Sequence, residues 1–280
     1  MANADCILIQ GSNMAECHPV GFQWVEEAKS RGAKVIHVDP RFTRTSAIAD
    51  KHIPIRVGSD VVLLGALINH VLANDLWFKE YVIPYTNAAT LVNEEFRDTE
   101  DLGGLFSGLD QESGQYDPSS WGYAEADGDH SATVHEHGIS ASARAAGDEH
   151  GSGGPSLAHG RVLRDETLQH PRTVFQILKR HYARYTPEMV REACGISPDD
   201  FAYLAGSITE NSGRERTTCF AYAVGWTQHT LGAQFIRTAT ILQLLMGNVG
   251  RPGSGIMALR GHASIQGSTD IPTLFNLLPG

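Results

Sequence analysis

Near the C-terminus a fixed cation, a titratable ring and an amide stand close together: Arg260, His262 and Gln266 in the stretch GIMALRGHASIQGSTD, Gly255 to Asp270. Their neighbours are glycines and small residues, so little packs against them and the backbone is pliable. An arginine keeps its charge at any working pH and offers a planar fork of donors that suits a carboxylate. The plainer reading is a surface arginine, or one paired with an acid such as Asp270. A second group lies in AVGWTQHTLGA, where Gly225, Trp226, Thr227 and Gln228 fall between a strand and a helix that His229 enters. A buried Trp and a capping Thr explain part of that pattern.

Three more candidate sites share one arrangement. IQGSN sets Gly11, Ser12 and Asn13 after an apolar run, HVDPR sets Asp39 and Arg41 after a second, and RVGSD sets Gly58 and Asp60 after a third. In an open α/β sheet, ligands bind beyond the carboxyl ends of the strands. Glycine lets backbone approach a phosphate there, a helix N-terminus supplies unpaired N–H donors, and an acid can accept from ribose hydroxyls or base N–H groups. Taken singly, these motifs are a turn, a capped strand end and a helix N-cap. Repeated on consecutive strand ends, they point to a nucleotide-bearing ligand. A nicotinamide dehydrogenase fits poorly: GSNMAE lacks the last glycine of the dinucleotide fingerprint, and Asp39 lies further on than the ~20 residues it expects.

The elements that must position these residues follow from periodicity. CILIQ is a short strand stopping at Gly11, and PVGFQWVEEAKSRG an amphipathic helix with Pro19 in its first turn and Phe22, Val25 and Ala28 on one face. KVIHVDP closes a βαβ unit, HIPIRVGSD adds a third strand, and VVLLGALINHVLAND a helix led by Asp60. DLWFKEYVIPY predicts another helix, broken near Pro84. HPRTVFQILKRHYARY continues the helical pattern. TPEMVREACG and SPDDFAYLAGSITE are helices capped by Thr186 and Ser197. RTTCFAYAVG predicts a strand ending on Gly225, and GAQFIRTATILQLLMGNVG a long central helix. The fold class is therefore α/β, an open, mostly parallel Rossmann-like sheet with helices on both faces. Residues 1–106 and 165–280 are expected to form one such domain. Residues 107–164, rich in Gly, Ser, Asp and His, read as a polar surface insertion, partly mobile.

Among 280 residues, 41% are hydrophobic and 19% charged, as in a globular protein with a proper core. The net charge of −10 argues against broad binding to nucleic acid or anionic membrane, though not against a small anion held by local donors. Cys6, Cys17, Cys194 and Cys219 form no C-x-x-C pair, so all four read as buried free thiols and no metal site is expected. The insertion's histidines (His130, His135, His137, His150 and His159) match no zinc spacing. No apolar run is long enough to span a bilayer, and no leader precedes CILIQ. The abrupt start predicts that coding sequence upstream is missing.

The quoted motifs, together with LLMGNVGRPGSGIMALRGHASIQGSTD and LLPG, resemble the molybdopterin-dependent oxidoreductase family. More narrowly, they are similar to catalytic (alpha) subunits of respiratory formate dehydrogenases. The resemblance runs the length of the chain except the polar insertion. It implies molybdenum or tungsten held by two molybdopterin guanine dinucleotides, and oxidation of formate to carbon dioxide. It makes Gly11, Asn13, Asp39, Arg41, Gly58 and Asp60 ligands of the guanine dinucleotide, and Gly225, Gln228 and Gln266 pterin-side residues. Arg260 becomes the formate-orienting residue, with His262 beside it. Implied partners are the remainder of the alpha subunit, an iron–sulfur beta subunit and a membrane cytochrome b gamma subunit, on the periplasmic side of the inner membrane. The family's cysteine cluster for a [4Fe–4S] centre and its metal-ligating cysteine or selenocysteine are not among these residues, so the isolated chain is expected to be inactive. An alternative is a non-catalytic nucleotide- or cofactor-binding module, or another molybdopterin oxidoreductase. The Arg260–His262 pair favours formate.

Overall fold

A computed structural model describes residues 1–125 and 162–261 of the chain. Five strands, β1 (Cys6–Gln10), β2 (Lys34–Val38), β3 (Lys51–Ile53), β4 (Thr218–Tyr222) and β5 (Gly255–Ala258), form one sheet in the order β3-β2-β1-β4-β5. Every neighbouring pair is parallel, with Ile7 of β1 opposite both Val35 and Cys219. A parallel sheet needs cover on both faces, which is why β1 and β4 are buried along their whole length and read as continuous apolar runs. Because all strands run the same way, their carboxyl ends share one edge. The strand order reverses between β1 and β4, and that reversal opens the crevice of a doubly wound sheet.

Ten helices surround the sheet in the described residues: α1 (Met14–Cys17), α2 (Pro19–Ser30), α3 (Arg44–Ile48), α4 (Asp60–Ala73), α5 (Lys79–Tyr85), α6 (Val174–Tyr182), α7 (Pro187–Cys194), α8 (Pro198–Glu210), α9 (Val224–Thr227) and α10 (Gly232–Leu245). Pro19 opens α2, which turns Phe22, Val25 and Ala28 onto Ile7, Ile9, Val35, Cys219 and Ala221. Each large apolar side chain so covered contributes about 1.5–3 kcal/mol. α4 and α10 pack on each other. α4 comes so close to Tyr185 that a Cβ on Gly65 would lie 2.8 Å from that ring. Thr186 and Ser197 cap α7 and α8 by accepting from Met189 and Asp200 N–H groups, and Gly195 ends α7 at φ +73°.

The structure departs from the sequence reading in four places. β3 stops at Ile53, because Pro54 has no N–H for the ladder. β4 stops at Tyr222, and the chain coils into α9 before Gly225. β5 is an additional edge strand, four residues long and only half-buried. Cys17 is exposed, because it ends a one-turn helix at the rim, whereas Cys6, Cys194 and Cys219 are buried thiols. Burial pushes the Cys6 and Cys219 thiols up to about 12 and about 11, so neither is a thiolate at neutral pH.

The sheet with Met1–Thr86 and the chain from Lys179 onward forms one compact unit, and Asn87–Leu178 a second. Within the second, bridges pair Thr90 with Arg164, Leu91 with Thr173 and Val92 with Tyr123. Residues 126–161, which carry the histidines of the polar segment, lie outside the described residues.

Candidate functional site

The described candidate residues all follow a strand on the shared edge: Gly11 and Asn13 after β1, Asp39 and Arg41 after β2, Gly58 and Asp60 after β3, Gly225 and Gln228 after β4, Arg260 after β5. Gly11 and Gly225 meet at the reversal point. The Gly225 N–H donates to the Gly11 carbonyl at 3.1 Å. A Cβ on Gly225 would lie 2.5 Å from that carbonyl oxygen, so two backbones cross where no side chain fits. Gly58 differs. It is exposed at φ +84° with open space where a Cβ would stand, which leaves its backbone approachable.

Several polar candidates are already engaged. Asp39 is buried and accepts the Arg41 N–H at 2.9 Å, a turn that leaves the Arg41 side chain exposed. Asn13 accepts from the Thr45 hydroxyl at 3.1 Å and donates to Glu16, tying α1 to α3. Asp60 is buried, with one carboxylate oxygen accepting from the Gln10 amide at 2.7 Å and the Trp226 indole N–H at 3.2 Å. Burial pushes its carboxyl above the ordinary aspartate value, and the Gln10 bond only partly offsets that. Trp226 stacks on Tyr222 with ring centroids 5.0 Å apart. Asp60 thus pins the ends of β1 and β4 to the start of α4. Gln228 is exposed at the end of α9.

The structure adds residues that the motifs did not single out. His37, buried within β2, reaches the Ser12 carbonyl through Nε2 at 3.1 Å and the Ser46 hydroxyl through Nδ1 at 2.8 Å. A carbonyl only accepts, so Nε2 carries the proton. Ser46 Oγ accepts the Thr43 N–H and points its own hydrogen at Nδ1. Burial lowers the His37 pKa, consistent with this neutral ring despite Asp39 at 3.9 Å. The Ser12 turn is therefore braced from β2. A polar residue inside the apolar run KVIHV was the available signal.

Two buried acceptors beside that turn, Gln10 Oε1 and Ser12 Oγ, have no hydrogen-bond partner. Leaving such a group unsatisfied costs about 1–3 kcal/mol, which marks the end of β1 as the least satisfied polar spot beside the candidate residues.

Arg260 is exposed, two residues beyond β5. Its side chain forms no ion pair among the described residues. It closes one end of an open groove of about 520 Å³ lined by Met14, Trp24, Met257 and Leu259. The Leu259 N–H donates to the Tyr222 carbonyl at 2.8 Å, and the Arg260 carbonyl faces His18 Nε2 at 3.1 Å. His262, Gln266 and Asp270 lie outside the described residues. Among the described residues no cluster of His, Cys, Asp or Glu could hold a metal ion, and no helix is long and apolar enough to cross a membrane.

Comparison with known proteins adds a family. The profile of the molybdopterin oxidoreductases matches residues 1–274. The formate dehydrogenase-O major subunit of Escherichia coli is 44% identical over 279 residues, which is 99% of this chain and 24% of that protein. The formate dehydrogenase 2 subunit alpha (cytochrome c-553) of Nitratidesulfovibrio vulgaris is 41% identical over 99% of this chain and 24% of its own length. The chain thus spans about a quarter of the length of these curated relatives. Among solved structures, acetylene hydratase from Pelobacter acetylenicus aligns with a TM-score of 0.52 at 18% identity, over 90% of this chain and 22% of that one; at this identity the likeness speaks to the fold.

Proposed function

This chain belongs to the molybdopterin oxidoreductase family, and on that premise we propose that it serves a formate dehydrogenase catalytic subunit, contributing cofactor-binding residues and the arginine that orients formate. The observation that carries this reading is the shared edge. Five parallel strands end on one side; among the described residues, two buried polar atoms at the reversal point lack a partner and the guanidinium beyond β5 forms no ion pair.

The residues present suit a guanine dinucleotide form of the cofactor. The Ser12 hydroxyl can donate to a phosphate oxygen, and Gln10 Oε1 can accept from a ligand N–H or O–H. The exposed backbone at Gly58 can meet a pyrophosphate without a side chain in the way. Asp39 keeps one carboxylate oxygen clear of its turn bond, where a guanine N–H can donate. When bound, the cofactor would supply a molybdenum or tungsten centre able to accept two electrons as formate loses the proton of its C–H bond and becomes carbon dioxide. The guanidinium of Arg260 holds formate by both oxygens, because its planar fork presents two parallel N–H donors to a carboxylate. That fixes where the C–H bond points. His262 and Gln266 belong to the same segment.

Whole-protein features come from the relatives' kind. We place a [4Fe–4S] centre and the metal-ligating residue elsewhere in the parent subunit, beside beta and gamma partner subunits, on the periplasmic side of the inner membrane. We assign the cofactor domain to the unit that carries the sheet, Met1–Thr86 with the chain from Lys179 onward, and the polar insertion expected at 107–164 to the sequence span of the second unit, Asn87–Leu178.

Replacing Arg260 in the formate-oxidising subunit tests the assignment. Arg260→Ala removes two charge-assisted hydrogen bonds and is expected to lower kcat/KM for formate roughly 100-fold or more, with Arg260→Lys in between. Wild-type turnover by the alanine variant would remove Arg260 from the reaction.

A further inference from the structure

We propose that His18 is a positioning residue for Arg260, holding the segment that carries the guanidinium against the start of α2. The proposal rests on the reading of Arg260 given above. Beyond Leu259, whose N–H makes the last bond to β4, the chain leaves the sheet and runs exposed into Gly261. Among the described residues, the one hydrogen bond to the Arg260 backbone comes from His18, 242 positions earlier. The acceptor is a carbonyl, so the imidazole donates through Nε2.

The ring is well placed for this work. His18 is the residue between α1 and α2, and its backbone is fixed from both sides: its N–H donates to the Met14 carbonyl and its own carbonyl accepts from the Phe22 N–H. Met14 and Phe22 in turn belong to the core against β1 and β4. His18 therefore relays the position of the packed sheet face to a segment that otherwise has only glycine beside it. Its Nδ1 is buried and has no hydrogen-bond partner among the described residues.

Hydrogen exchange of the chain and formate kinetics of the subunit test this together, using His18→Ala, His18→Leu and His18→Gln. Leucine keeps much of the ring's volume without a donor, and glutamine returns an N–H near the Nε2 position. The Leu259 amide, the last one bonded to β4 and next to the residue that His18 holds, should exchange several-fold faster in the alanine and leucine variants and at the wild-type rate in the glutamine variant. The β2 amides should be unchanged in all three. In the subunit, loss of the donor should raise KM for formate roughly 2- to 10-fold, the worth of one hydrogen bond, with kcat near wild type and rescue by glutamine. Unchanged exchange at Leu259 overturns the proposal, as does failure of glutamine to rescue. Faster exchange with an unchanged KM overturns it if Arg260→Ala does raise KM. If Arg260→Ala also leaves KM unchanged, the formate reading fails while the hold of His18 on the segment stands.

Discussion

Burial leaves Asp60 resting on two neutral donors, the Gln10 amide and the Trp226 indole, and raises its affinity for a proton above the ordinary aspartate value of 3.8. Above 3.8 and up to that raised value, the folded chain holds this proton more tightly than the unfolded chain. Stability therefore falls as pH rises through the window and stays lower beyond it. Asp60→Asn keeps the acceptor oxygen and removes the charge. Compared with wild type, the variant should gain stability as pH climbs from about 3 to about 7, read from denaturant midpoints at each pH. A pH-independent difference would show that the carboxyl is not raised. Asp60 stood out in the sequence as a residue after a strand, but its partners did not, since Gln10 and Trp226 are 50 and 166 positions away. His18 left no trace for the same reason: a His-Pro step looks the same whatever carbonyl the ring reaches.

Among the elements, those legible in advance obey local rules. α2 shows its buried face through Phe22, Val25 and Ala28, and the Thr186 and Ser197 caps announce their helices. β5 did not, because four residues opening with glycine carry too little periodicity, and its existence depends on β4 and α10. The tie is Gln243, fully buried on α10, which donates to the Thr218 carbonyl at 3.0 Å and the Gly255 carbonyl at 2.9 Å, and accepts from Asn248. Gln243→Leu strands these groups without changing side-chain volume much. It should cost about 2–4 kcal/mol in urea unfolding and speed exchange at Met257 and Leu259 before the rest of the sheet. Equal protection of β5 in both proteins would mean that α10 does not anchor the strand.

At the scale of the whole molecule, parallel strands concentrate the polar residues on one edge of a chain whose net charge is −10. On the proposed reading, an anionic cofactor would be held locally, through Ser12, the Gly58 backbone and the arginines, and not through an overall positive field. Adding GDP to the chain should slow amide exchange at residues 11–13, 39–41 and 58–60. Residues 31–34, at the opposite edge, should be unaffected. Uniform protection, or none, would count against a nucleotide site on that edge. The sheet order 3-2-1-4-5 was not legible beyond its first βαβ unit, since β1 meets β4 across more than two-thirds of the chain. That junction sets how the crevice works. With Gly11 and Gly225 touching through bare backbone, the two central loops are welded into a seam. The loops after β1 and β4 cannot drift apart without breaking that contact, so the middle of the edge stays fixed while the turns after β2, β3 and β5 are free of it.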